Sequence, residues 1–159
     1  MYDVTFYFAH HYLEKSDRTI DQMVQAARSG KQNIAEGAAA GNTSKETEIK
    51  LTNVAKASLQ ELLVDYEDFL RVRGLEQWKA DDARLAQTKR ACATHNDSEY
   101  YRKAMPERSA ETIANIAITL IHQTDWLLNK LIEKLEIQFV ENGGVKEQMT
   151  KARKEYRGY

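Results

Sequence analysis

The sequence has little of what breaks a chain into short pieces. Proline occurs once in 159 residues, at Pro106, and glycine seven times. Both are poor helix residues, so their scarcity favours long helices. Cysteine also occurs once, at Cys92, which excludes an internal disulfide and suits a reducing compartment. No apolar run approaches the ~18 residues that a membrane span needs. The chain does not open on a basic stretch followed by an apolar one, so the sequence predicts no signal peptide and a cytoplasmic protein. The net charge of −1 excludes a surface that is basic throughout. Any site for a nucleic acid has to be local.

Reactive constellations are missing too. Helical bundles that hold two metal ions build them from paired Glu-x-x-His motifs. Here the residues three before His10, His11, His95 and His122 are Tyr7, Phe8, Cys92 and Thr119. Cys92 and His95 have the spacing of a metal pair, but a structural zinc site takes four ligands and no second pair exists. There is no phosphate-cradling glycine loop and no nucleophile motif. The sequence therefore predicts no metal, no cofactor and no catalytic residue.

What is present is amphipathic helix. Apolar residues make up 42% and charged residues 30%, the balance of one globular domain with its own core. Tyr2 to Leu13 is aromatic-rich and reads as a helix, because no second strand exists to pair with Val4–Phe8. Ser16 or Asp17 can cap the next helix. Its apolar positions, Ile20, Met23, Val24, Ala27, Ile34, Ala35 and Ala38, form one stripe. Gly30 and Gly37 share that helix. A glycine inside a helix costs about 1 kcal/mol relative to alanine, so either another backbone passes closely or Gly30 is a tolerated weak spot.

Gly41-Asn42 ends this helix, and Thr43 with Glu46 reads as a capping box for the next. That third helix is expected from about Ser44 to Arg73, with Ile49, Val54, Ala55, Ser58, Leu62, Phe69 and Leu70 inward and Gly74 as its left-handed stop. Residues 78 to 105 read as an elaborated connection, with a helix over Asp81–Ala93 that turns Ala83, Leu85 and Ala86 inward. Pro106 suits the first turn of the last helix. A stripe then runs from Ile113 through Ile116, Ala117, Leu120, Ile121, Thr124, Leu127, Leu128, Leu131, Ile132 and Leu135 to Phe139, and Gly143-Gly144 stops it. Four amphipathic helices with short links predict an all-α, antiparallel up-down four-helix bundle over residues 1–143, with residues 144–159 as a basic tail. Ile118, Trp126 and Ile137 lie off the last stripe, which predicts contact between copies.

Two charge patterns stand out. Glu61, Asp65 and Asp68 share one face of the third helix; they are either a solvated acidic face or a site for a cation or a basic partner. The candidate phosphate contacts are Arg28 and Lys31, Arg71 and Arg73, and the tail residues Lys151, Arg153, Lys154 and Arg157. Tyr156 and Tyr159 interleave with the tail charges and can stack on bases.

The run Ser29-Gly-Lys-Gln-Asn-Ile-Ala-Glu-Gly37, then Thr43-Ser44-Lys45-Glu46, then Ala55-Lys-Ala-Ser-Leu-Gln-Glu-Leu62, resembles the four-helix bundle family named for proteins encoded in intervening sequences of bacterial 23S ribosomal RNA. The resemblance spans roughly residues 17 to 140. It implies a ring, typically a homopentamer, with no known catalytic activity. It also implies kinship with the accessory proteins of diversity-generating retroelements, which bind a reverse transcriptase and nucleic acid. Gly30-Lys31-Gln32 replaces the family's proline-containing stretch, the 78–105 connection is longer, and the chain is nearly neutral where the accessory proteins are basic. The motif residues Gly30, Asn33, Ile34, Glu36, Gly37, Ser44, Ser58 and Glu61 are expected to specify packing, with Asn33 and Glu36 hydrogen-bonding across helices and Ser58 facing Gly30 or Ala27. The expected function is a non-enzymatic oligomeric scaffold for nucleic acid or a nucleic-acid-processing partner. The alternative is a purely structural or protein-interaction module.

Overall fold

Seven α-helices and a 3-10 turn, with no strand, make up the described residues. They are α1 (Tyr2–Tyr12), α2 (Thr19–Ala40), α3 (Lys45–Val72), α4 (Ala83–Thr94), α5 (Ser98–Ala104), the turn Met105–Glu107, α6 (Ala110–Asn142) and α7 (Val145–Arg157). The computed structural model describes residues 1–158, so Tyr159 lies outside the described residues. No helix among them is long and apolar enough to cross a membrane.

The aromatic N-terminus is helical because its apolar residues fall one and four apart. Val4, Thr5, Phe8 and Ala9 are all buried, the pattern of one helix face. Phe8 lies with its ring centroid 4.9 Å from Tyr66 and 4.7 Å from Phe69. One turn away the Tyr66 hydroxyl donates to Thr5 Oγ1 at 3.0 Å. Residue numbers rise together across these pairs, so α1 and α3 run parallel.

Helices α2 and α3 pack antiparallel along their length, and glycine is what lets them. A Cβ on Gly30 would sit 3.2 Å from Leu59 Cδ2 and 3.7 Å from the Ala55 carbonyl. One on Gly37 would sit 3.3 Å from Leu51 Cβ and 3.5 Å from the Glu48 carbonyl. At Gly30 the tight neighbour is the Leu59 side chain, and the α3 backbone lies at ordinary contact distance. The inward stripe of α2 is Met23, Ala26, Ala27, Gly30 and Gly37, while Ala35 and Ala38 are exposed. The cap of α3 also differs by one residue. Ser44 accepts the Thr47 N–H at 3.2 Å, Thr43 donates instead to the Ala40 carbonyl, and Glu46 pairs with Lys50 at 2.7 Å. The chain leaves the α2–α3 turn such that Ser44, not Thr43, has extended backbone, the conformation a cap residue needs. Val54, expected inward, is exposed, and Leu59, Leu63 and Tyr66 fill the core in its place.

Helix α6 packs antiparallel to α3, as the pairs Gln60–Asp125 and Lys56–Asn129 show. Ser109 caps it by accepting the Thr112 N–H. Pro106 is therefore not in its first turn; it sits in the separate 3-10 turn before it. At the other end Gly143 adopts φ +70°, a conformation that costs L-residues and spares glycine. Leu127 of the expected stripe is exposed, and off-stripe Ile118 is buried because α4 packs on that side of α6. Within α4 the buried residue is Cys92, with Thr88 and Ala91 half-buried, while Ala83 and Ala86 are exposed.

The segment before α4 is fixed by a side chain of α6. Asn115, buried, accepts the Trp78 backbone N–H at 2.8 Å and donates to the Glu76 and Glu111 carbonyls, each at 2.9 Å. Arg84 closes the loop by pairing with Asp82 and Glu76, each at 2.7 Å, and lying 5.2 Å from the Trp78 ring. These carboxylates raise the pKa of its guanidinium, chiefly Asp82.

Candidate nucleic-acid interface

The eight candidate cations fall into three places. Arg28 and Lys31 lie on the exposed side of α2, and Lys31 sits 5.3 Å from the Tyr2 ring. Arg71 and Arg73 lie at the C-terminal end of α3. Arg71 is engaged with Asp68 at 2.6 Å, and Arg73 stacks 4.1 Å from Phe69. Lys151, Arg153, Lys154 and Arg157 are all on α7.

These groups do not form one surface within the chain. Helix α7 begins beside the α2–α3 turn. Gly41–Glu46 and Gly143–Val145 line one cleft there, and Lys146 acts on Glu46, whose carboxyl is lowered first by its bond to Lys50. Arg71 and Arg73 are at the far end of the 28-residue α3, roughly 40 Å away at 1.5 Å per residue. Only α7 gathers four of the cations on one element. Lys146 adds a fifth cation on α7 that the sequence reading left out of the candidate set.

Helix α7 has the pattern of a surface-binding helix. Val145, Met149, Ala152 and Tyr156, at spacings of four, three and four, share one face. Five cations, two carboxylates, Gln148 and Thr150 occupy the rest. Not one of its residues is buried, and Tyr156 is 93% exposed. Gly143 and Gly144 detach it from α6. Lys146, Arg153 and Arg157 line one flank.

The motif residues sit on the α2–α3 seam. Ser29 Oγ and Ser58 Oγ share a hydrogen bond of 2.8 Å, so Ser58 faces Ser29 and not Gly30 or Ala27. Asn33 donates to the Ser29 carbonyl at 2.9 Å and to Ser29 Oγ at 3.3 Å. Its reach across the helices is therefore indirect, through Ser29. Ile34 is half-buried, and Glu36 and Glu61 are exposed. Glu36 makes no bond across helices among the described residues, because its position on α2 turns it away from α3.

One groove escaped the sequence reading. Between α4 and α6 lies a space of about 730 Å³ whose walls include Trp78, Cys92, Ile118, His122, Trp126 and Leu127. Both tryptophans of the chain line it, and Trp78 Nε1 is buried with no acceptor among the described residues. Burial pushes the Cys92 thiol up, which keeps it protonated and unreactive. His95 stacks on Tyr100 at 3.7 Å, and among the described residues no group of three or more His, Cys, Asp or Glu side chains is placed to hold a metal ion. Comparison of the chain with protein-family models, with curated proteins and with solved structures returned no match.

Proposed function

We propose that this chain is a non-enzymatic, self-assembling helical protein that binds nucleic acid through α7, as a scaffold or accessory to a nucleic-acid-processing protein of the reverse-transcriptase kind. The observation that carries this reading is α7 itself: five cations on a 13-residue helix with no buried residue, held at the end of the molecule by two glycines. Backbone phosphates supply most of the affinity of such contacts, and local cations are enough to meet them.

In this reading α1, α2, α3 and α6 form an antiparallel up-down four-helix bundle. The registers support it: Thr5 with Tyr66, Gly30 with Leu59 and Gln60 with Asp125. The chain is then a member of the intervening-sequence protein family, assembling as a homopentamer in the bacterial cytoplasm. Surplus apolar surface supports assembly, since Trp126, Ile137 and Val140 on α6 are 60%, 59% and 81% exposed.

A gel shift with single- and double-stranded RNA and DNA tests the nucleic-acid reading. Retardation that weakens with salt supports it, and no complex at low salt with any of the four removes it. The competing reading, a protein-interaction module without nucleic acid, draws on the Trp126 and Leu127 surface; capture of a defined protein partner in nuclease-treated solution would favour it.

A further inference from the structure

Two helix faces in this molecule are complementary, and most of one lies beyond the reach of the other within one chain. The first is the apolar stripe of α7, where Val145, Met149 and Tyr156 are 43%, 50% and 93% exposed. Cations border it. The second is the outer face of α3, opposite the core. Val54, Val64 and Val72 lie there, 47%, 53% and 70% exposed, interleaved with Ala57, Glu61 and Asp68. These valines give the outer face of α3 an apolar line along its length. The acids beside them are only partly compensated. Asp68 is held by Arg71, but Glu61 and Asp65 have no ion pair among the described residues. The Asp65 carboxyl is raised first by its partial burial and then by Asp68 and Glu61. This face is apolar and negative; the stripe of α7 is apolar and bordered along one side by Lys146, Arg153 and Arg157.

The geometry points to α7 of one copy docking on the outer face of α3 of a second copy, with the stripe of α7 on Val54, Val64 and Val72 and Arg153 beside Glu61 and Asp68, while Lys151 and Lys154 face away from the contact. The reach of the chain limits its own α7 to the Val54 end of this face. That helix starts level with Glu46, and its 13 residues span ~20 Å, whereas Glu61 and Asp68 lie ~22 Å and ~33 Å along α3 from Glu46. The valine face itself runs ~27 Å, long enough to seat a whole α7. Such a contact joins two different surfaces. Repeated from copy to copy it closes a ring when the rotation allows, and otherwise extends as an open filament. The inference rests on the self-assembly part of the proposed function and says which surfaces carry it.

Two full-length variants test it. Met149→Glu with Arg153→Glu breaks the α7 side; Glu61→Lys with Asp68→Lys breaks the α3 side. All four positions are exposed, and unchanged thermal melting of each variant checks that the fold is kept. Mass by light scattering is then read alone and in mixture. Each variant alone is expected to dissociate at concentrations about tenfold or more above those at which the wild type does. The equimolar mixture is expected to form a one-to-one complex, because each variant keeps the half the other lacks. An α7 variant that assembles like the wild type overturns the docking and leaves self-assembly to another surface, such as the Trp126 face. Two monomeric variants that ignore each other also overturn it. A wild type that is itself monomeric removes the self-assembly reading as a whole.

Discussion

Replacing Thr5 or Tyr66 probes how firmly the short first helix is locked to the rest. Both side chains are fully buried, and the Tyr66 phenol donates to Thr5 Oγ1 at 3.0 Å. Burial pushes the phenol pKa well up, so it remains a donor at every working pH. Tyr66→Phe removes one neutral hydrogen bond, about 1 kcal/mol net, and leaves the Thr5 hydroxyl its weak contact to the Met1 sulfur. Thr5→Val keeps the shape but strands the phenol in a place water does not reach, which costs about 1–3 kcal/mol. The double variant replaces both partners with apolar groups and should cost clearly less than the sum, with a coupling of about 1 kcal/mol. Urea unfolding followed by helix circular dichroism measures all three. With a slope of about 2 kcal/mol/M, 1 kcal/mol moves the midpoint by about 0.5 M. Strictly additive losses, or a Thr5→Val variant as stable as wild type, would refute the pairing and with it the register of α1 on α3.

The α2–α3 seam separates two residues of the same motif. Asn33→Ala should lower stability by about 0.5–1.5 kcal/mol through its bonds to Ser29, while Glu36→Ala should stay within about 0.5 kcal/mol because Glu36 is exposed; equal losses in a thermal melt would contradict this placement. Asp65 gives a pH signature. Its folded pKa is raised, so the folded carboxylate binds its proton more tightly than the unfolded one, and stability from this group falls as pH rises through the carboxylate range. Asp65→Asn is therefore expected to melt higher than wild type near neutral pH, with the gain vanishing once the carboxyl is protonated in both states. A variant that gains only at low pH would invert that sign.

Helix existence was legible because each long helix carries its own period: Met23, Ala27 and Gly30 on α2, and Leu62, Phe69 and Leu70 on α3, fall at helical spacing and are buried. Stops were legible where glycine takes positive φ, as at Gly74 and Gly143. Caps were harder. Thr43 and Ser44 are adjacent hydroxyls, and only the path of the turn decides which one meets a free N–H. Residues 78 to 105 were hardest, because their order comes from α6 and not from local pattern. Asn115 looks like a solvent-facing residue in the sequence, yet it clamps Trp78. The same holds for the candidate interface. Eight cations can be read off the chain, but only tertiary distance shows that Arg71 and Arg73 sit at one end of α3 and α7 at the other. Leu127 and Ile118 traded places for the same reason: α4 covers α6 at Ile118, and Leu127 lies in the groove between them that stays open.

The central claim is that α7 meets phosphates. It is tested most directly by the salt dependence of nucleic-acid affinity for the wild type and for a variant with Lys151, Arg153, Lys154 and Arg157 all replaced by Gln. Fluorescence anisotropy of a labelled duplex between about 50 mM and about 200 mM salt gives the slope of log K against log salt, about −0.9 for each phosphate neutralised. If all four cations engage, the wild-type slope is about −3 to −4, and the variant loses most of both slope and affinity. Binding by the wild type with a slope near zero, undiminished binding by the variant, or no binding at low salt would contradict the claim.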